Sequence, residues 1–198
     1  MGDTNVPGLD LAAFAAYFTA AHPGAVEGPL RASVLPGGKS NITYDVTDGE
    51  HHWVVRRPPL GHVLATAHDM GREYRVISAL SGTTVPVPET WLLCEDPAVI
   101  GAPFYVMAKV AGTAYRTAAQ LEAVGAERTR VMATRMINTL ADLHAVQPDA
   151  VGLSGFGRPE GYLGRQVRRW KKQLDASRSR DLPGAGQLHA ELDRKSVV

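Results

Sequence analysis

The residues best suited to chemistry lie in one stretch, Leu35 to Arg57 (LPGGKSNITYDVTDGEHHWVVRR), together with a carboxylate further on, Glu73. Gly37 and Gly38 have no side chains, so the backbone there can approach another group closely and present its N–H donors, a surface that suits phosphate. Lys39, Ser40 and Asn41 add polar side chains, and Arg56 brings a cation from a later segment. Taken alone, these residues read first as a plain hairpin turn; a phosphate cradle is the alternative. Glu73 falls among Met70, Ile77 and Leu80, the inward stripe of a helix at about 100° per residue. Burying an ionised carboxylate without a partner costs on the order of several kcal/mol, so a cation must meet it there or the side chain must reach water at the edge of the stripe. Arg56, on the same strand face as Val54, is the cation best placed.

The elements that would position these groups follow from periodicity. Ile42, Tyr44 and Val46 alternate with Thr43, Asp45 and Thr47 as a half-buried strand does. The glycine turn therefore leads into sheet. A P-loop is excluded on two counts: Ser33 stands where its first glycine is required, and no helix follows Ser40. Strands are expected at Leu30–Leu35, Ile42–Thr47, His52–Arg57, Thr90–Cys94 and Pro103–Lys109, with helices at Leu11–Ala21 (capped by Asp10) and about 67–80. Val110–Thr113 breaks the pattern as a hinge would. Beyond it, Met132, Met136, Leu140 and Leu143 form an apolar helical stripe, read as core, and His144 as a packed or capping residue. A basic helix starting at Tyr162 carries Arg165, Arg168, Arg169, Lys171 and Lys172, read as a solvated face or one meeting acidic groups. The tail, 181–198, contains Pro183, Gly184 and Gly186, and no element is assigned to it.

Composition bounds the class. The chain has 198 residues, 44% hydrophobic and 21% charged, with formal net charge +1, as expected of a globular chain able to bury a core and not of a dedicated nucleic-acid binder. One cysteine, Cys94, cannot make an internal disulfide, and a reducing cytoplasm is the expected compartment. No apolar run approaches a membrane span. His51 and His52 are strand neighbours pointing to opposite faces, with no ligand cluster beside them, so no metal site is assigned.

The order of these parts resembles the aminoglycoside phosphotransferase (APH) family of kinase-like enzymes, and within it the actinobacterial, acyl-CoA-dehydrogenase-associated branch. The match rests on Leu35–Tyr44, Trp53–Pro59, Arg72-Glu73-Tyr74, Val85–Pro88, Phe104–Met107, Leu140–His144 and Gly155–Tyr162. The resemblance implies an α+β, protein-kinase-like fold: an antiparallel five-stranded N-lobe with one main helix, a hinge, and the first helices of a truncated helical C-lobe. Its expected divisions are an N-terminal helical appendage (1–27), a nucleotide-binding N-lobe (28–110), and the hinge with a partial C-lobe (111–198).

It also implies roles. Gly37, Gly38, Lys39, Ser40 and Asn41 would cover the phosphates of ATP. Arg56 would contact the α/β-phosphates and pair with Glu73, standing where kinases usually carry lysine; arginine is longer, planar and bidentate, so the exchange is not conservative. Val54 would roof the adenine, Met107 would be the gatekeeper, and Ala108 C=O and Val110 N–H would bond the base. The family's His-Gly-Asp catalytic loop and its later metal-binding aspartate do not occur in this sequence. The expectation is therefore the N-terminal part of an ATP-dependent phosphotransferase acting on a small-molecule hydroxyl, with no catalytic residue of its own and Mg2+ held only with the missing C-terminal part. By itself it should bind ATP weakly or not at all and turn nothing over. The alternative is a non-catalytic kinase-like module that self-associates or binds a partner through an apolar surface. Neither nucleic acid nor membrane is an expected partner.

Overall fold

The structure, a computed structural model, describes residues 6–36, 41–61, 68–177, 180 and 182–195. Helix α1 (Leu11–Ala21) precedes strands β1 (Arg31–Val34), β2 (Ile42–Thr47) and β3 (His52–Arg57); helix α2 (Met70–Leu80) precedes β4 (Thr90–Cys94) and β5 (Phe104–Ala108). Helices α3 (Ala118–Val124), α4 (Ala126–Ala145), α5 (Tyr162–Ser177) and α6 (Ala185–Lys195) complete the chain. The five strands form one antiparallel sheet in the order β1-β2-β3-β5-β4. The expected α+β architecture with one antiparallel five-stranded sheet holds. The compact units are residues 1–151 and 152–198, so α3 and α4 group with the sheet.

Alternation decides what each face of the sheet carries. Tyr44, Val46, Trp53, Val55, Cys94, Phe104 and Val106 join Leu11, Phe14 and Phe18 of α1 in a single buried cluster. Phe14 lies 5.9 Å from Phe104, and Phe18 lies 5.3 Å from Trp53, centroid to centroid. Each fully buried Phe contributes about 1.5–3 kcal/mol of transfer free energy. Helix α1 thus contributes three buried side chains to the core. Asp10 caps it, accepting from the Ala12 and Ala13 N–H groups.

The segment before α1 is tied down by the same face. Tyr44 donates to the Pro7 carbonyl at 2.7 Å, and buried Arg57 donates to the carbonyls of Gly8 and Ile100, the latter at 3.0 Å. Gly8 has φ +79°, and a Cβ there would come 2.5 Å from Leu60 Cδ2 and 3.1 Å from the Arg57 guanidinium. Only glycine meets both demands.

The β2–β3 hairpin turns on Asp48, whose carboxylate accepts from the N–H groups of Glu27 (2.9 Å), Glu50 (3.0 Å) and His51 (2.7 Å). Burial raises this carboxyl, but those donors and the His51 ring outweigh it and hold it far below the usual carboxylate range.

Helix α4 departs from expectation. Met136, Leu140 and Leu143, read as core together with Met132, are exposed, as are Val131 and Ile137, and no residue of α4 is buried. The stripe is real, but no described element covers it. In residues 152–198, α5 packs on α6, the helix that Pro183, Gly184 and Gly186 had hidden in the sequence. Two of the α5 cations have acidic neighbours: Lys171 lies 2.5 Å from Asp175, and Arg168 lies 4.0 Å from Asp193. No described helix is long and apolar enough to cross a membrane.

Candidate functional site

The second face of the sheet carries the site. Cross-strand partners share a face, and the register aligns Thr43, Arg56 and Tyr105 in one row and Asp45, Val54 and Met107 in the next. Helix α2 lies against β4 and β5. Asp69 caps α2 through the Arg72 N–H, and Ser78 bonds Thr90 of β4 at 2.8 Å. Glu73 therefore enters from the first turn of the helix, where the macrodipole favours a negative charge.

Arg56 and Glu73 meet. The Arg56 Nε atom is 2.9 Å from Glu73 Oε2, with the side chains 33% and 35% exposed. The Nε–H is not aimed at that oxygen, for this buried nitrogen has no hydrogen-bond partner. The contact is a charge pair and leaves the rest of the guanidinium uncommitted to a fork with the carboxylate.

Two other donors hold the carboxylate. Asn41 Nδ2 donates to Oε1 at 2.8 Å, and the Tyr105 hydroxyl donates to Oε2 at 3.1 Å. His68 Nδ1 in turn lies 2.6 Å from Asn41 Oδ1. Asn41 is buried, and its side chain is engaged in this network. Burial, then the charge of Glu73 and its hydrogen bond, push the Tyr105 hydroxyl far above its ordinary value, with Arg56 opposing.

A second ionic group sits one row along. Asp45 on β2 accepts from Lys109 Nζ at 2.5 Å and lies 3.0 Å from His52 Nδ1. Burial raises the Asp45 carboxyl, but hydrogen bonds and charge from Lys109 and His52 prevail and hold it below its usual value. Lys109 follows Ala108, so the pair ties β2 to the end of β5.

Of the residues singled out in the sequence, Val54, Arg56, Glu73 and Met107 belong to this face. Ala108 ends β5, and Val110 is 70% exposed just beyond it. Gly37, Gly38, Lys39 and Ser40 lie outside the described residues; immediately before them, the Pro36 carbonyl accepts from Arg116 at 3.0 Å. His51 turns to Asp48 and His52 to Asp45, and among the described residues no cluster of three or more His, Cys, Asp or Glu could hold a metal ion. Sequence reasoning missed Tyr105, His68 and the Asp45–Lys109 pair. The strand register would have exposed Tyr105, since it stands directly across from Arg56.

Comparison with known proteins places the chain in a family. The model of the phosphotransferase enzyme family, APH, matches residues 31–197. Acyl-CoA dehydrogenase family member 11 of Gallus gallus is 41% identical over 161 residues, covering 81% of this chain and 20% of that protein. Acyl-CoA dehydrogenase family member 10 of Mus musculus is 35% identical over 161 residues, 81% of this chain and 15% of its own length. The chain thus spans a fifth or less of these two relatives. A crystal structure of a candidate aminoglycoside phosphotransferase from Ralstonia eutropha superposes with a TM-score of 0.75 at 31% identity, over 93% of this chain and 53% of that one. Sheet order, helix placement and sequence agree: the chain belongs to the phosphotransferase enzyme family and has its kinase-like fold.

Proposed function

We propose that this chain is the nucleotide-holding part of an ATP-dependent phosphotransferase that passes the γ-phosphate to a hydroxyl of a small molecule. The observation that carries the reading is the Arg56–Glu73 pair, a cation fixed by a helix-borne carboxylate on the sheet face that also presents Val54 and Met107. In phosphoryl transfer the protein's work is positioning and charge stabilisation. A guanidinium held at one edge by Glu73 can offer its remaining N–H groups to phosphate oxygens, while Val54 and Met107 supply apolar contact for a purine and the chain at Ala108–Val110 supplies backbone polar groups for its edge. ATP is the phosphoryl donor; proton acceptance and magnesium binding are assigned to groups that this sequence does not contain.

The test is a titration of the 15N-labelled 198-residue chain with ATP, followed by amide shifts. Weak binding, about millimolar, is expected, with shifts concentrated at Val54, Arg56 and Met107–Val110. Shifts confined to the basic face of α5 would overturn the reading.

A second reading rests on the open face of α4, where Met136 is 72% and Ile137 66% exposed. An apolar patch of this kind marks association, as in a non-catalytic module that binds a second copy or another protein. Sedimentation separates the readings: a defined monomer or dimer favours the self-sufficient module, and a heterogeneous aggregate favours a surface that lacks its cover.

A further inference from the structure

The contacts around Glu73 assign a task to Tyr105, Asn41 and His68. We propose that Tyr105, Asn41 and His68 are positioning residues that hold the Glu73 carboxylate so that Arg56 stays bound to it by charge alone and keeps its hydrogen-bonding edges for phosphate; the phosphate part of this rests on the function proposed above.

A carboxylate offers about four lone-pair positions. Asn41 takes one on Oε1 and Tyr105 takes one on Oε2. Arg56 Nε comes to 2.9 Å of Oε2 with its N–H out of line. Were these positions empty, an arginine beside a carboxylate would settle into a two-pronged fork, which commits two N–H groups to the protein. The Tyr105 hydroxyl takes one lone pair of the oxygen nearest Arg56 and so competes with that fork. It is held there by the register, since Tyr105 and Arg56 face each other across β3 and β5.

His68 sets the direction of the amide. Asn41 can serve Glu73 only with its NH2 toward the carboxylate, which leaves Oδ1 facing the His68 ring at 2.6 Å. Oδ1 accepts and cannot donate, so Nδ1 of His68 must carry a proton. The chain of donation runs His68 to Asn41 to Glu73, and it joins the start of β2, next to the glycine turn, to the segment that enters α2. One hydrogen-bond direction fixes the next.

The experiment reads the tautomer of His68 by long-range 1H–15N correlation in the nucleotide-free 198-residue chain, at a pH where the ring is neutral. The expected pattern is Nδ1 protonated and Nε2 bare, with loss of that pattern in Asn41→Ala. Tyr105→Phe removes one hydroxyl and keeps the ring, so the fold is retained; it should bring the Arg56 Nε–H into a new hydrogen bond, seen as a shifted, slowly exchanging signal, and weaken ATP binding about tenfold. Nδ1 bare in the wild type, or an Arg56 signal and ATP affinity unmoved by Tyr105→Phe, would overturn the proposal. The tautomer and the Arg56 signal are read without nucleotide. A chain that gives both results yet binds ATP away from Arg56 therefore refutes the proposed function and upholds the clamp on Glu73.

Discussion

Arg56 and Arg57 are adjacent in β3 and serve opposite faces of the sheet: Arg56 lies 2.9 Å from Glu73, while Arg57 is buried and donates to the Gly8 and Ile100 carbonyls. Strand alternation sends one arginine to the Glu73 face and the other into the core. Arg57→Ala should cost about 3 kcal/mol, because it removes the donor to the Gly8 and Ile100 carbonyls. Arg56→Ala should change stability by no more than about 1 kcal/mol, since its ion pair is a third exposed. Urea melts of the two variants measure the difference directly.

Gly8→Ala should destabilise the chain by about 1–3 kcal/mol. The new methyl meets Leu60 at 2.5 Å and its backbone must hold φ +79°. Loss should appear first as faster amide exchange at the α1 cap, because the 6–9 turn docks the helix.

Acid stability should depend on Asp48. Its folded carboxyl titrates below the ordinary value of 3.8, so the folded state releases this proton more readily than the unfolded state. The stabilisation is present above that value and is lost as pH falls below it. Asp48→Asn should flatten the wild-type decline below about pH 4, measured by melting temperature against pH.

At the alkaline end the sign reverses for Tyr105. Its hydroxyl is raised above 10.0 in the folded state, so the stability it confers is complete below about pH 10 and is lost above it, as the unfolded tyrosine ionises first. In the ultraviolet titration, Tyr105→Phe should remove the tyrosine that ionises only at the most alkaline pH.

Much of the fold was legible because local signals agreed with the tertiary outcome. The alternation of Ile42–Thr47 and His52–Arg57 gave both strand limits, and Asp10 gave the start of α1, since capping and periodicity are short-range. The Arg56–Glu73 contact was legible for a related reason: a carboxylate on an apolar stripe calls for a cation, and Arg56 had the right strand phase. Met136, Leu140 and Leu143 were misread because periodicity identifies an apolar face without saying what covers it. Tyr105 and His68 could not be found from spacing, because their partners Glu73 and Asn41 are 32 and 27 residues away and only the folded sheet brings them together. The Asn41 side-chain contact with Glu73 was equally illegible, because its partner is 32 residues away.

The most direct test of the central claim, that the Arg56–Glu73 face holds the phosphates of a nucleotide, is the ATP affinity of Arg56→Ala beside that of the wild type and of Arg165→Ala, a basic residue on α5. Loss of affinity of about tenfold or more in Arg56→Ala alone is predicted. Equal affinity in Arg56→Ala and wild type would contradict it.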